Sequence, residues 1–128
     1  MAATHAYVWI DHREAKIFGI GRNDTDEIVL HDHSAPRHIH RSADDVRRGK
    51  PLPDHAFFDE VAKALTGFKG IVIVGPGSTR TDLAGHLNAR HPELAKRIWG
   101  IEPSDHPTEP QIIAAARKYF LAEARMHE

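Results

Sequence analysis

"GIVIVGPGSTRTDLAGHL" (residues 70–87) reads as strand, glycine turn and helix. Residues 70–75 form a continuous apolar run with no polar alternation, the pattern of a strand covered on both faces. Gly75 and Gly77 flank Pro76 at a tight turn. Beyond it, a helix starts near Thr79, with Asp82 three residues on in a capping-box-like pattern. Leu83 and Leu87 repeat at helical spacing and face inward. A strand buried on both faces needs helices on both sides, which points to a three-layer α/β arrangement.

Upstream, "AYVWIDH" (6–12), "EAKIFGI" (14–20) and "EIVLHDH" (27–33) are strands by their β-branched and aromatic content. Asp11 to Arg13 and "GRND" (21–24) are the turns between them. Such short connections make an antiparallel meander, because a parallel crossover needs a dozen or more residues. A helix follows at roughly 54–66, with Phe57, Phe58, Val61, Ala62 and Leu65 on its apolar face and Gly67 at its C-terminal end. Downstream, "RIWGIE" (97–102) is a fifth strand. The last helix begins at Thr108, with Gln111 at the capping-box position and an apolar stripe of Ile112, Ile113, Ala116, Tyr119 and Phe120. The order is βββαβαβα. Strands four and five each lie between helices, so they run parallel through right-handed crossovers. A mixed five-stranded sheet with helices on both faces, in this order, is the ribonuclease H-like arrangement. Residues 1–128 read as one such domain, without internal repeats.

Composition narrows the function classes. The formal net charge is −1, which gives no whole-molecule attraction to nucleic acid or membrane. There are 11 histidines, so full protonation moves the charge to +10. The absence of cysteine excludes disulfides, thiolate zinc sites and a cysteine nucleophile. No signal-peptide run follows the N-terminus and no segment approaches transmembrane length, so a soluble cytoplasmic protein is expected.

The glycine turn fails both specific phosphate-binding patterns. A Walker loop requires lysine and a hydroxyl after its second glycine, and Pro76 and Gly77 stand there instead. The dinucleotide fingerprint requires a third glycine, and Arg80 occupies that position. What remains is a generic anion-binding candidate at a helix N-terminus, made of Gly75, Gly77, Ser78, Thr79 and Arg80. The plain alternative is a tight turn with Thr79 as the helix cap.

Three further groups stand out. His31 and His33, and again His38 and His40, have a spacing compatible with metal ligation, but H-x-H is common in loops and no metal is assigned. The predicted topology gathers Asp11, His12, His31, His33, Asp105 and His106 with the glycine turn on one edge of the sheet, the edge where open sheets usually hold ligands. A two-metal nuclease needs more carboxylates than Asp11 and Asp105 provide. The stretch "SAPRHIHRSADDVRRGKPLP" (34–53) lacks apolar periodicity and carries five Lys/Arg against two Asp. Its Arg37, His38, His40, Arg41, Arg47, Arg48 and Lys50 are candidates for phosphate contact. No aromatic lies between Pro36 and Pro53, so base stacking from this loop is not expected.

"IVIVGPGSTRTDLAGHL" (71–87) also resembles the strand–turn–helix of the central domain of the archaeal and eukaryotic peptide-chain release factor and of Pelota. The resemblance is closer to the small bacterial relatives of that domain, the translational machinery proteins. It extends to "WIDHREAKIF" (9–18), "HIHRSA" (38–43), "FFDEVAKAL" (57–65) and "DHPTEPQIIAAARKYF" (105–120). It implies the ribonuclease H-like fold and a link to ribosomes or transfer RNA. Release factors carry a Gly-Gly-Gln motif here; this sequence has no Gly-Gly pair, and its only glutamine is Gln111. The resemblance therefore implies a non-catalytic, translation-associated module that binds RNA or the ribosome, without a cofactor. At 128 residues no flanking decoding or partner-binding domains are expected. The rival expectations are a metal-dependent hydrolase on the histidine and carboxylate edge, and a homodimeric structural protein.

Overall fold

The computed structural model describes residues 4–21, 25–31 and 55–124. Five strands form one open mixed sheet: β1 (His5–Ile10), β2 (Glu14–Ile20), β3 (Thr25–His31), β4 (Gly70–Gly75) and β5 (Ile98–Pro103). Among the described residues the helices are α1 (His55–Leu65), α2 (Thr79–Arg90), the single turn α3 (Pro92–Ala95) and α4 (Glu109–Ala124). The strand order is β3-β2-β1-β4-β5. The first three strands pair antiparallel, and β4 runs parallel to both β1 and β5. This is the ribonuclease H-like topology that the sequence pattern predicts.

The period-2 alternation of strands sorts side chains into two cores. Ala6, Val8, Ile10, Ala15, Ile17, Ile71 and Ile73 face one side, where they meet Phe57, Phe58, Val61 and Leu65 of α1, Leu83 and Leu87 of α2, and Leu94 of α3. Tyr7, Trp9, Phe18, Ile20, Val72 and Val74 face the other side, against Ile112, Ala116 and Phe120 of α4. All six residues of β4 are buried. Its apolar run follows from this position, since neither face of the strand meets water.

β1 ends, and β3 begins, two residues before the sequence expectation. β1 stops at Ile10 because Asp11 turns the chain: its Oδ1 accepts from Arg13 N at 2.8 Å and from Glu14 N at 2.9 Å. β3 begins at Thr25 because the hairpin register pairs Thr25 with Ile20. The cap of α2 is also corrected. Ser78, not Thr79, occupies the N-cap, and its side chain makes no capping bond. Ser78 Oγ lies 3.5 Å from Asp82 Oδ2, so the capping box does not form. At α4 the expected box is present, with Thr108 and Gln111 bonded reciprocally.

Candidate functional site

The carboxyl ends of β1, β4 and β5 converge on one sheet edge, as the topology requires. Between the turn after β4 and the segment after β5 lies an open groove of about 460 Å³, lined by Pro76, Gly77, Arg80, Pro103, Ser104 and Asp105. Its walls are fixed by backbone contacts. Gly75 has φ +152° and Gly77 φ +64°, both in the region that favours glycine. A Cβ on Gly75 would collide with the Ile10 carbonyl oxygen, so glycine lets β4 end flush against β1. Ser104 N donates to Gly75 O at 3.1 Å, joining the two turns. Arg80 Nη1 donates to Gly75 O at 2.9 Å and also to Gly77 O. One guanidinium nitrogen thus satisfies two turn carbonyls, and Arg80 first of all holds the loop that carries it.

The segment from Ser104 to Thr108 is anchored from below. Trp9 Nε1 donates to Asp105 O at 2.8 Å, and the His106 ring packs edge-on against Trp9 at 5.2 Å. Lys16 Nζ lies 5.8 Å from the Trp9 ring and 3.9 Å from Glu109 Oε2. A buried tryptophan with its N–H satisfied makes a rigid floor.

The remaining edge residues are near one another in topology, and among the described ones no hydrogen bond or ion pair joins one to another. Asp11 Oδ1 is spent on the hairpin turn. His12, Asp105 and His106 are exposed. His31 Nδ1 stands 3.8 Å from Glu14 Oε1, its register partner on β2. His33, Arg37, His38, His40, Arg41, Arg47, Arg48 and Lys50 lie outside the described residues. Among the described residues, the edge does not bring together a metal-sized group of histidines and carboxylates.

Such a group lies instead on the helical layer, and the sequence reading missed it. His86 Nε2 is 2.7 Å from Asp59 Oδ1, and His91 Nε2 is 2.9 Å from the same oxygen. On its other side, His86 Nδ1 is 3.0 Å from His55 Nδ1, with the two rings stacked at 5.1 Å. The His86 side chain is 2% exposed, against 33% for His91 and 48% for Asp59. Hydrogen bonds from His91 and then His86 hold the Asp59 carboxyl below its ordinary value. The local signals were His55 and Asp59 one turn apart, and His86 beside the inward Leu83 and Leu87. Their meeting depends on how α1 and α2 pack, which no local spacing encodes.

Solved structures share this fold. The Pelota protein of Thermoplasma acidophilum superposes with a TM-score of 0.63 over 94% of this chain at 18% identity. Archaeoglobus fulgidus Pelota does so with a TM-score of 0.63 over 96% at 19% identity. The chain has a Pelota-like fold. Dom34 of S. cerevisiae, a translation termination-like factor involved in RNA quality control pathways and interacting with Hbs1, matches with a TM-score of 0.51 over 98% at 10% identity. The Pelota-like chain spans 32%, 34% and 42% of those three proteins. No protein-family model and no curated protein matches it. Among the described residues, no helix is long and apolar enough to cross a membrane.

Proposed function

We propose that this chain is a translation-associated module that binds RNA or the ribosome in the cytoplasm and performs no peptide-release chemistry. The observation that carries this reading is the Pelota-like fold over 94–96% of the chain. A fold of this kind also occurs in Dom34, which works in RNA quality control. The sequence supports the non-catalytic half of the reading. It has no Gly-Gly pair, and its sole glutamine is engaged at the start of α4. The surface is the groove at the sheet edge together with the basic stretch 37–50. The groove supplies a fixed shape, and Arg37, Arg41, Arg47, Arg48 and Lys50 supply the charge that meets phosphates.

The test is a fluorescence anisotropy titration with single-stranded RNA at several salt concentrations. Affinity falls with salt, and each phosphate contact adds roughly 0.7 to the slope of log affinity against log salt. Replacing Arg41, Arg47 and Arg48 with Ala weakens binding and flattens the slope by up to about 2. Binding unchanged in the triple variant removes the loop from the RNA surface.

A further inference from the structure

We infer that Asp59, His86 and His91 form a binding site for one divalent transition-metal ion of the zinc class, with His55 as the partner that sets the His86 tautomer. The three side chains offer two imidazole nitrogens and one carboxylate oxygen, all within 4.8 Å of one another. Imidazole and carboxylate together suit zinc and its neighbours, and hard cations such as magnesium prefer oxygen alone. Tetrahedral zinc with bonds of 2.0–2.1 Å places its ligand atoms about 3.3 Å apart. The present separations from Asp59 Oδ1 are 2.7 and 2.9 Å, so the ligands need to open by roughly half an ångström. The half-exposed Asp59 side chain has room to do this, and the partly exposed His91 ring tilts toward the buried His86 to bring the two nitrogens, which lie within 4.8 Å of each other, to the same spacing.

His86 is fixed by burial and by the Phe58 ring at 5.5 Å. His91 is fixed through its backbone. It closes α2 with N–H to Leu87 O at 2.8 Å, and its carbonyl accepts from Leu94 N and Ala95 N of α3. The ligands thus come from α1, the end of α2 and the junction with α3, and an ion would cross-link those three elements. The fourth coordination position faces solvent past Asp59 and His91, as in three-ligand zinc sites that keep one position open.

The contact between His55 and His86 supplies the second-nitrogen partner that a ligating His86 needs. Two Nδ1 atoms at 3.0 Å share a single proton. Without metal, His86 donates from Nε2 to Asp59, its Nδ1 is bare, and His55 donates. With metal, His86 gives the Nε2 lone pair to the ion and donates from Nδ1 to His55. Both neutral rings change tautomer, no hydrogen bond at Nδ1 is lost, and no net proton is released by the pair. A ligating histidine whose second nitrogen is hydrogen-bonded is the usual arrangement around zinc.

The experiment is calorimetric titration of chelator-treated full-length protein with zinc chloride, with folding checked by circular dichroism. One saturable equivalent is expected. Asp59→Asn and His91→Ala, at an exposed and a half-buried side chain, each weaken binding by more than about 100-fold, and His55→Phe weakens it by about 10–100-fold at unchanged stoichiometry. A His38→Ala/His40→Ala double variant binds as the wild type does. No saturable binding by the wild type overturns the assignment, as does affinity unchanged in both Asp59→Asn and His91→Ala. Loss of the equivalent in the double variant overturns it too, by moving the ion to the 34–53 stretch. RNA affinity plays no part in this readout, so failure here leaves the translation reading standing.

Discussion

Gln111 and Thr108 cap α4 reciprocally: Gln111 Oε1 accepts from Thr108 N at 2.9 Å, and Thr108 Oγ1 accepts from Gln111 N at 3.3 Å. Two N–H groups at the helix start are thereby satisfied by side chains of the same turn. The side-chain oxygen of the chain's only glutamine is thus engaged in the helix cap. Purified protein is expected to release no peptide from peptidyl-tRNA on ribosomes above a buffer control. Thr108→Ala should lower unfolding free energy by about 0.5–2 kcal/mol, measured by urea denaturation.

The two glycines of the turn after β4 separate two kinds of constraint. Gly77 combines a φ of +64° with open space around its would-be Cβ. Alanine there should cost only the left-handed backbone penalty, about 1–2 kcal/mol. Gly75 adds a collision with the Ile10 backbone to an unfavourable φ, and a backbone neighbour cannot swing aside. Gly75→Ala should therefore destabilise by clearly more than Gly77→Ala in parallel denaturant titrations. Equal effects would mean that β4 does not end flush against β1.

The sequence made most of the sheet legible, because burial on two faces leaves an unbroken apolar run at 70–75 and short turns force a meander. It also placed the Thr108–Gln111 cap, whose partners are three residues apart. Features made by packing were less legible. The α2 cap shifted by one residue to Ser78, since both hydroxyls suit a cap and only the turn geometry chooses between them. The turn α3 is too short for any periodicity to appear. Among the described residues, those of the edge shared a location without hydrogen bonds or ion pairs to one another, and Asp11 and Arg80 proved to hold turns. The cluster of His55, Asp59, His86 and His91 joins residues up to 36 apart in sequence and was invisible to a search for close histidine pairs.

His5 provides a pH probe that is independent of the candidate sites. Its ring lies among Trp99 at 4.9 Å and Phe120 at 4.8 Å, with Nδ1 2.7 Å from Thr4 Oγ1. Burial, and then the nearby Lys69 charge, hold its pKa below 6.5. The unfolded chain therefore takes up this proton before the folded one does. The contribution to stability is complete above 6.5 and is lost as pH falls through the folded value. Between roughly pH 7.5 and 5.5, His5→Phe should lose less unfolding free energy than the wild type. Identical losses in the two proteins would place the His5 ring in water.

Co-sedimentation with ribosomes tests the translation reading most directly. Protein is layered with purified ribosomes on a sucrose cushion at low and at high salt, and the pellet is probed for the chain. Stoichiometric pelleting at low salt is predicted, reduced at high salt, and reduced at low salt in the Arg41→Ala/Arg47→Ala/Arg48→Ala variant. Wild-type protein that stays in the supernatant at low salt, and also fails to bind single-stranded RNA, would contradict a role in translation through RNA or ribosome binding.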